Sequence, residues 1–348
     1  MKRRLLVVER HHLGDAVLAV PFVRAAMENF HVIIACRPEL AEFWQCVCPD
    51  VQIVAPADGW GTLRRALPRL GRADAAVCAW PDPRAQWLLC ASGAGVRVGF
   101  ALKAQNFYGA ARPWRKRRLR LAQVAVALSG PLLTHALDRR ERQQPQRENW
   151  TQIARVLGFE PDVRMPWWPV PKPTGAVGEW IESVKAAGRP LWVVHAGGRL
   201  PTKRWPLERF QQLLNGYFSR RGVAVLIIQA PGEESPEPRG DWQIRWTPPR
   251  LAEFFAVLAA VDGVLCNDSF CAHAAAALGR TVVTIFGSAD PAWFAPFGQE
   301  FNVVATDVCE ARPCVDRCIH RSPICLEAIS NHLVEKSLEA VIFPLTNP

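Results

Sequence analysis

Val193-Val194-His195-Ala196-Gly197-Gly198-Arg199-Leu200-Pro201-Thr202-Lys203-Arg204-Trp205-Pro206 decides the fold, together with Val264-Leu265-Cys266-Asn267-Asp268-Ser269-Phe270-Cys271-Ala272-His273 further along. Each stretch reads as a short buried strand that runs into a polar turn and then a helix. In an open α/β sheet, the crevice at the carboxyl ends of the strands is where ligands bind. Gly197 and Gly198 let the backbone approach such a ligand, and Lys203 and Arg204 supply positive charge. The helix start after Asp268 presents free N–H groups. The combination suits a diphosphate and points to an enzyme that handles a nucleotide-linked substrate.

The same alternation extends in both directions. In the first half, strands are predicted over 4–8, 31–35, 51–54, 74–79 and 96–100. Helices are predicted from the turn at 10–15 to about residue 29, and over 39–46, 83–92 and 147–157. In the second half, strands are predicted over 190–195, 224–229, 263–266 and 281–286, with helices over 179–187, 206–220, 251–260, 272–278 and 331–341. Such βαβ alternation predicts parallel, doubly wound sheets with right-handed crossovers. Five prolines between Pro161 and Pro173 interrupt the pattern, and proline propagates neither helix nor central strand. The expected organisation is therefore a Rossmann-like domain over 1–165, a Pro-rich linker over 166–174, a second Rossmann-like domain over 175–330, and a helix and tail over 331–348 placed to pack back on the first domain.

A chain of 348 residues fits this two-domain reading, since single cores rarely grow past ~250–300 residues. The net charge of +10 is unevenly spread. Residues 1–170 hold 25 Lys and Arg against 14 Asp and Glu, whereas 171–348 hold 17 against 18. An excess confined to the first half implies an anionic partner there. No recognised nucleic-acid motif accompanies it, so nucleic acid is not expected. The apolar stretch near the start, Leu5-Leu6-Val7-Val8, is too short for a secretory signal, and no apolar run spans a bilayer. The expected location is cytoplasmic, peripheral at the inner membrane.

Leu13-Gly14-Asp15 followed by Val20-Pro21, then Lys203-Arg204-Trp205-Pro206, Asp268-Ser269 with His273, and Thr284-Ile285-Phe286-Gly287-Ser288-Ala289-Asp290-Pro291 with Trp293 resemble, in that order, glycosyltransferase family 9. That family contains the ADP-heptose:lipopolysaccharide heptosyltransferases. The resemblance covers nearly the whole chain. It implies a GT-B fold, with two doubly wound Rossmann-like domains facing across a cleft. It also implies inverting, metal-independent transfer of a sugar, a heptose from ADP-heptose, to a lipopolysaccharide core-type acceptor, with no cofactor beyond the nucleotide-sugar substrate. Two departures are visible: Phe270 stands where the family has glycine, and the Gly197-Gly198 loop lacks the hydroxyl residues of some heptosyltransferases.

Carried onto matching positions, the resemblance implies that Asp15 is the general base and that Lys203 lies beside the donor phosphates. Asp15 would take the acceptor proton, with Arg10 keeping it ionised; the alternative is a helix cap. Lys203 would stabilise charge on the departing diphosphate in place of a metal; the alternative is a solvated loop charge. Gly197, Gly198, Arg204, Glu233, Asp268, Ser269 and His273 complete the donor set. Helix capping for Asp268 and Ser269, a core histidine at 273 and a surface loop at Glu233 remain open. Arg10, Arg84, Arg97 and Lys103, with the basic run 112–120, are the candidates for an anionic glycolipid acceptor and the membrane surface. No metal is expected, although Cys309, Cys314, Cys318 and Cys325 with His320 leave a structural zinc site as an alternative. The rival to an enzyme is a non-catalytic protein that binds a nucleotide or anionic glycan on the same scaffold.

Overall fold

The structure, a computed structural model, describes residues 2–101, 130–138, 144–314 and 318–344. The chain divides into two compact units, Met1–Trp167 and Trp168–Pro348.

The first unit runs β1 (Arg3–Glu9), α1 (Leu13–Asn29), β2 (Phe30–Cys36), α2 (Ala41–Val47), β3 (Gln52–Val54), α3 (Trp60–Leu70), β4 (Ala75–Val77), α4 (Pro83–Ala91), β5 (Val96–Ala101), β6 (His135–Asp138) and α5 (Glu148–Leu157). Its strands form one parallel sheet in the order β3-β2-β1-β4-β5-β6. Leu5, Leu6, Val7 and Val8 of β1 are all buried, as a central parallel strand covered on both faces requires. Each such side chain contributes ~1.5–3 kcal/mol on burial. The order reverses between β1 and β4, so the turn leaving β1 opens onto the crevice that doubly wound sheets use for ligands.

The second unit runs α6 (Gly175–Ala186), β7 (Leu191–His195), α7 (Leu207–Leu213), β8 (Ala224–Ile228), β9 (Gln243–Trp246), α8 (Leu251–Ala260), β10 (Gly263–Asn267), α9 (Phe270–Ala277), β11 (Thr281–Ile285), α10 (Pro291–Phe294), β12 (Val303–Val304), α11 (Ile324–Glu327) and α12 (Asn331–Ile342). The sheet is again parallel, in the order β12-β11-β10-β7-β8-β9. Its reversal falls between β7 and β10, the two strands that end in the motifs quoted first. Trp192, Trp205, Phe210 and Phe218 share one core cluster with Val334 and Leu338 of α12. The last helix therefore packs within the second unit.

Six elements escape the sequence reading: α3, β6, β9, β12 and the one-turn helices α10 and α11. The π-helical turn Leu214–Phe218 continues α7, giving the long helix expected from 206. Helix α9 starts at Phe270, two residues before its expected start, with Ser269 in the cap position. Among the described residues, no helix is long and apolar enough to cross a membrane.

Candidate active site

The carboxyl ends of β7 and β10 bring one set of residues together. Asn267 closes β10 and is fully buried. Its Oδ1 accepts the Trp205 N–H at 3.0 Å, and its Nδ2 donates to the carbonyls of Ala196 at 2.7 Å and Gly197 at 3.1 Å. One amide thus ties the glycine turn to the Lys203 segment. From the other side, Glu233 Oε1 accepts the Gly198 N–H at 3.0 Å. The Glu233 carboxylate sits where a side chain at Gly197 would go: a Cβ there would lie 2.0 Å from Glu233 Oε2, so the carboxylate would have to move.

Lys203 Nζ lies 2.5 Å from Asp268 Oδ2. The Asp268 side chain is 4% exposed and that of Lys203 18%. Phe294 lies under the ammonium, 5.5 Å from ring centroid to Nζ. Asp268 therefore orients Lys203, while α9 opens beside it with the N–H groups of its first turn lacking intrahelical partners. The Ser269 hydroxyl is engaged by Cys266, while His273 Nδ1 is buried with no hydrogen-bond partner among the described residues. Burial pushes His273 down to about 4, against Asp268 and with Lys203, so its ring is neutral at physiological pH. A half-buried cation beside a helix N-terminus is an arrangement that can take an anion.

Other members of the predicted donor set are arranged differently. Arg204 is exposed, and its Nε donates to the Gly198 carbonyl at 2.6 Å, so part of its guanidinium braces the turn. Both oxygens of Glu233 are engaged, one by Gly198 and one by His195 Nε2 at 3.0 Å. The hydrogen bond from His195 holds the Glu233 carboxyl below its usual range against the effect of burial. The half-buried Phe270 ring stacks on Phe254 at 5.5 Å and meets Phe255 edge-on at 6.1 Å.

In the first unit, Asp15 is the third residue of α1. Its Oδ2 accepts the His12 N–H at 3.2 Å, as in a capping box, and its Oδ1 accepts Gln146 Nε2 at 2.6 Å. Gln146 is buried, so it fixes a half-buried carboxylate from the start of α5.

The expected pairing of Arg10 with Asp15 is corrected. Arg10 is buried and turns to Asp58, with NH2 at 2.6 Å from Oδ1, and to the carbonyls of Cys36 and Pro56. Arg84 also approaches Asp58, at 3.7 Å. The hydrogen bond from Arg10 is the main cause of the lowered Asp58 pKa. Among the described residues, a guanidinium that reaches the Asp15 turn is that of Arg37, which donates to the His11 carbonyl and lies 3.2 Å from His12 Nδ1. Arg97 is likewise spent on backbone, donating to Leu132 O and Ala94 O. Lys103 and the run 112–120 lie outside the described residues.

Glu9, at the end of β1, is fully buried. It accepts the His11 N–H through Oε1 and has no partner at Oε2 among the described residues. Burial, reinforced by Asp15, raises it to about 8 against the pull of the His11 N–H and Arg37. The chain thus places a neutral carboxyl behind the turn that carries Asp15.

Among the described residues, no three or more His, Cys, Asp or Glu side chains are grouped to hold a metal ion. Cys309 Sγ lies 3.6 Å from His320 Nε2, and Cys318 Sγ donates to the Ser322 carbonyl. Cys309, Cys314 and Cys325 are buried.

The chain matches the family described as Glycosyltransferase family 9 (heptosyltransferase) over residues 84–322. Lipooligosaccharide heptosyltransferase 2 of Haemophilus influenzae is 29% identical over 117 residues, which is 30% of this chain and 33% of that protein. The alignment therefore spans a third of that relative's length. Among solved structures, a glycosyl transferase family 9 protein of Veillonella parvula superposes with a TM-score of 0.69 at 18% identity, over 98% of each chain. An E. coli ADP-heptose LPS heptosyltransferase II superposes at 0.63 with 16% identity, again over 98% of each chain. At these identities the structural likeness establishes the fold, the GT-B pair of Rossmann-like domains.

Proposed function

Because this chain belongs to glycosyltransferase family 9 and is a glycosyltransferase of GT-B fold, we propose that it transfers a heptose from ADP-heptose, with inversion and without a metal, to a hydroxyl of a lipopolysaccharide core-type acceptor. The observation that carries this reading is the Lys203–Asp268 pair at the start of α9, with His273 Nδ1 unpartnered beside it among the described residues. The donor diphosphate would lie against Lys203 and the α9 N–H groups. Negative charge grows on that diphosphate as the sugar–phosphate bond breaks, and a fixed cation stabilises the transition state more than the ground state.

Asp15 would accept the acceptor proton. A half-buried carboxylate held by Gln146 and by the His12 N–H keeps its orientation, which general-base catalysis needs as much as a suitable pKa. Gly197 and Gly198 would admit the nucleotide close to the backbone. Glu233 remains the candidate for the ribose hydroxyls, through the lone pairs that His195 and Gly198 leave free. Arg84 and Lys103 would meet anionic groups of the glycolipid acceptor at the cytoplasmic face of the inner membrane.

The test is calorimetric titration with ADP, UDP, GDP and CMP, with and without EDTA. Selective ADP binding that survives EDTA is the expected result. Preference for another nucleotide would replace ADP-heptose as donor, and absence of binding to a folded protein would overturn the donor assignment.

A further inference from the structure

His195 closes β7 and is 9% exposed, and the sequence reading gave it no role. Its Nε2 lies 3.0 Å from Glu233 Oε2, while Glu233 Oε1 holds the Gly198 N–H. The Glu233 carboxylate also fills the space that a side chain at Gly197 would need. Ring, carboxylate and glycine turn therefore pack as one unit. The ring also interacts with Cys271, in the first turn of α9. Its Nδ1 is buried without a well-formed hydrogen bond.

We infer that His195 is a positioning residue for the donor: bonded to Glu233 it fixes the Gly197–Gly198 turn, and through Cys271 it sets that turn against the first turn of α9. The ligand in this statement rests on the donor reading above, but the clamp itself does not. A turn and a helix start can flank one diphosphate only when their separation is fixed, and His195 meets both segments, through Glu233 and through Cys271.

The clamp carries charge. Burial opposes a proton on the ring, but Cys271 and Glu233 outweigh it and push His195 up to about 9. The charged and titratable groups around it are Glu233 from the loop after β8, Cys271 from α9, and Cys266 of β10 behind Cys271. Asp268, with Lys203 on it, lies next to Cys266. The hydrogen bond from Cys266 is the main cause that lowers the Cys271 thiol. The stabilisation that the raised pKa brings is fully present below the ordinary histidine pKa and is lost as pH rises through about 9, where the ring gives up its proton. The turn should loosen over that interval.

The experiment uses the full chain with 15N-labelled histidine. NMR of the ring nitrogens should show His195 protonated on both at pH 7.5 in the wild type. In E233Q, which keeps the shape but removes one of the two groups that hold the proton, the ring should lose its proton at a lower pH than in the wild type. H195Q, shown to be folded by circular dichroism, should weaken ADP binding about tenfold or more, the scale of a lost charge-assisted hydrogen bond. The wild type should lose affinity between pH 8 and 10 more steeply than H195Q does. A neutral His195 in the wild type at pH 7.5, or ADP binding by H195Q equal to wild type, would overturn the inference. A doubly protonated ring in a wild type that binds no nucleoside diphosphate would uphold the clamp and overturn the donor reading instead.

Discussion

Lys203 and Asp268, on separate segments, meet at 2.5 Å with the carboxylate almost wholly withdrawn from water. A pair of this kind is costly to break from either side, because the survivor is left as an uncompensated buried charge. K203Q and D268N should each lower stability by about 2–4 kcal/mol. The double variant should lose less than the sum, as a double-mutant cycle in urea would measure. K203Q should also weaken nucleoside diphosphate binding more than nucleoside binding. Additive stability losses would show that the two charges do not depend on one another.

Asp15 is held by Gln146 and by the His12 amide, so D15N retains the shape while removing the base. Turnover should fall about 10²–10⁴-fold with nucleotide affinity unchanged. Q146A should show a smaller fall in turnover, because the carboxylate remains but loses its orientation. Steady-state kinetics beside calorimetry separates these outcomes, and a fully active D15N would remove Asp15 as the base.

Glu9 rises from an ordinary 4.5 to about 8 in the folded chain. Its contribution to stability is therefore fully present below pH 4.5 and lost as pH climbs through 8. Glutamine cannot ionise, so E9Q should be within about 1 kcal/mol of wild type at pH 5 and more stable by roughly 3–4 kcal/mol at pH 8. Urea unfolding at the two pH values gives the comparison. Equal differences at both would mean that Glu9 ionises freely in the fold.

The Phe270 ring, at the position where the family resemblance leads one to expect glycine, packs on Phe254 and Phe255 of α8. F270A should cost about 1–3 kcal/mol of stability through lost aromatic packing. Its ADP affinity should stay within about threefold of wild type, since the α9 N–H groups do not depend on that ring. A large gain in affinity on removing the ring would mean instead that Phe270 narrows the donor pocket.

The strands legible in the sequence are those buried on both faces, such as Leu5–Val8 and Val193–Val194, because continuous apolar runs leave little else to read. The missed elements lie where that signal fades. Helix α3 carries Gly61 and Pro68 inside it and looks like a loop, although Leu63, Ala66 and Leu70 form its buried side. Strands β6, β9 and β12 lie toward the edges of their sheets, and β12 has only two residues.

At the candidate site, motif order located the Asp15 turn and the Lys203 and Asp268 segments, but adjacency in sequence misled at Arg10. The register that sets Glu9 opposite Cys36 brings Arg37 to the Asp15 turn from the end of the next strand, a contact that spacing along the chain does not reveal. Asn267 and His195 did leave a signal: each is a polar residue that ends an otherwise apolar strand, where burial demands a partner.

Both sheets are wound in the same order, each with its first strand at the centre, so the protein is one architectural plan used twice with different turns mounted on it. The proposed chemistry then resides in a few exchangeable segments: 10–15 in one half, 196–205 and 267–273 in the other. For engineering, this separates two kinds of diversity. Libraries confined to those turns would explore new donors and acceptors on an unchanged frame, whereas substitutions among the apolar residues of the central strands would alter the frame itself.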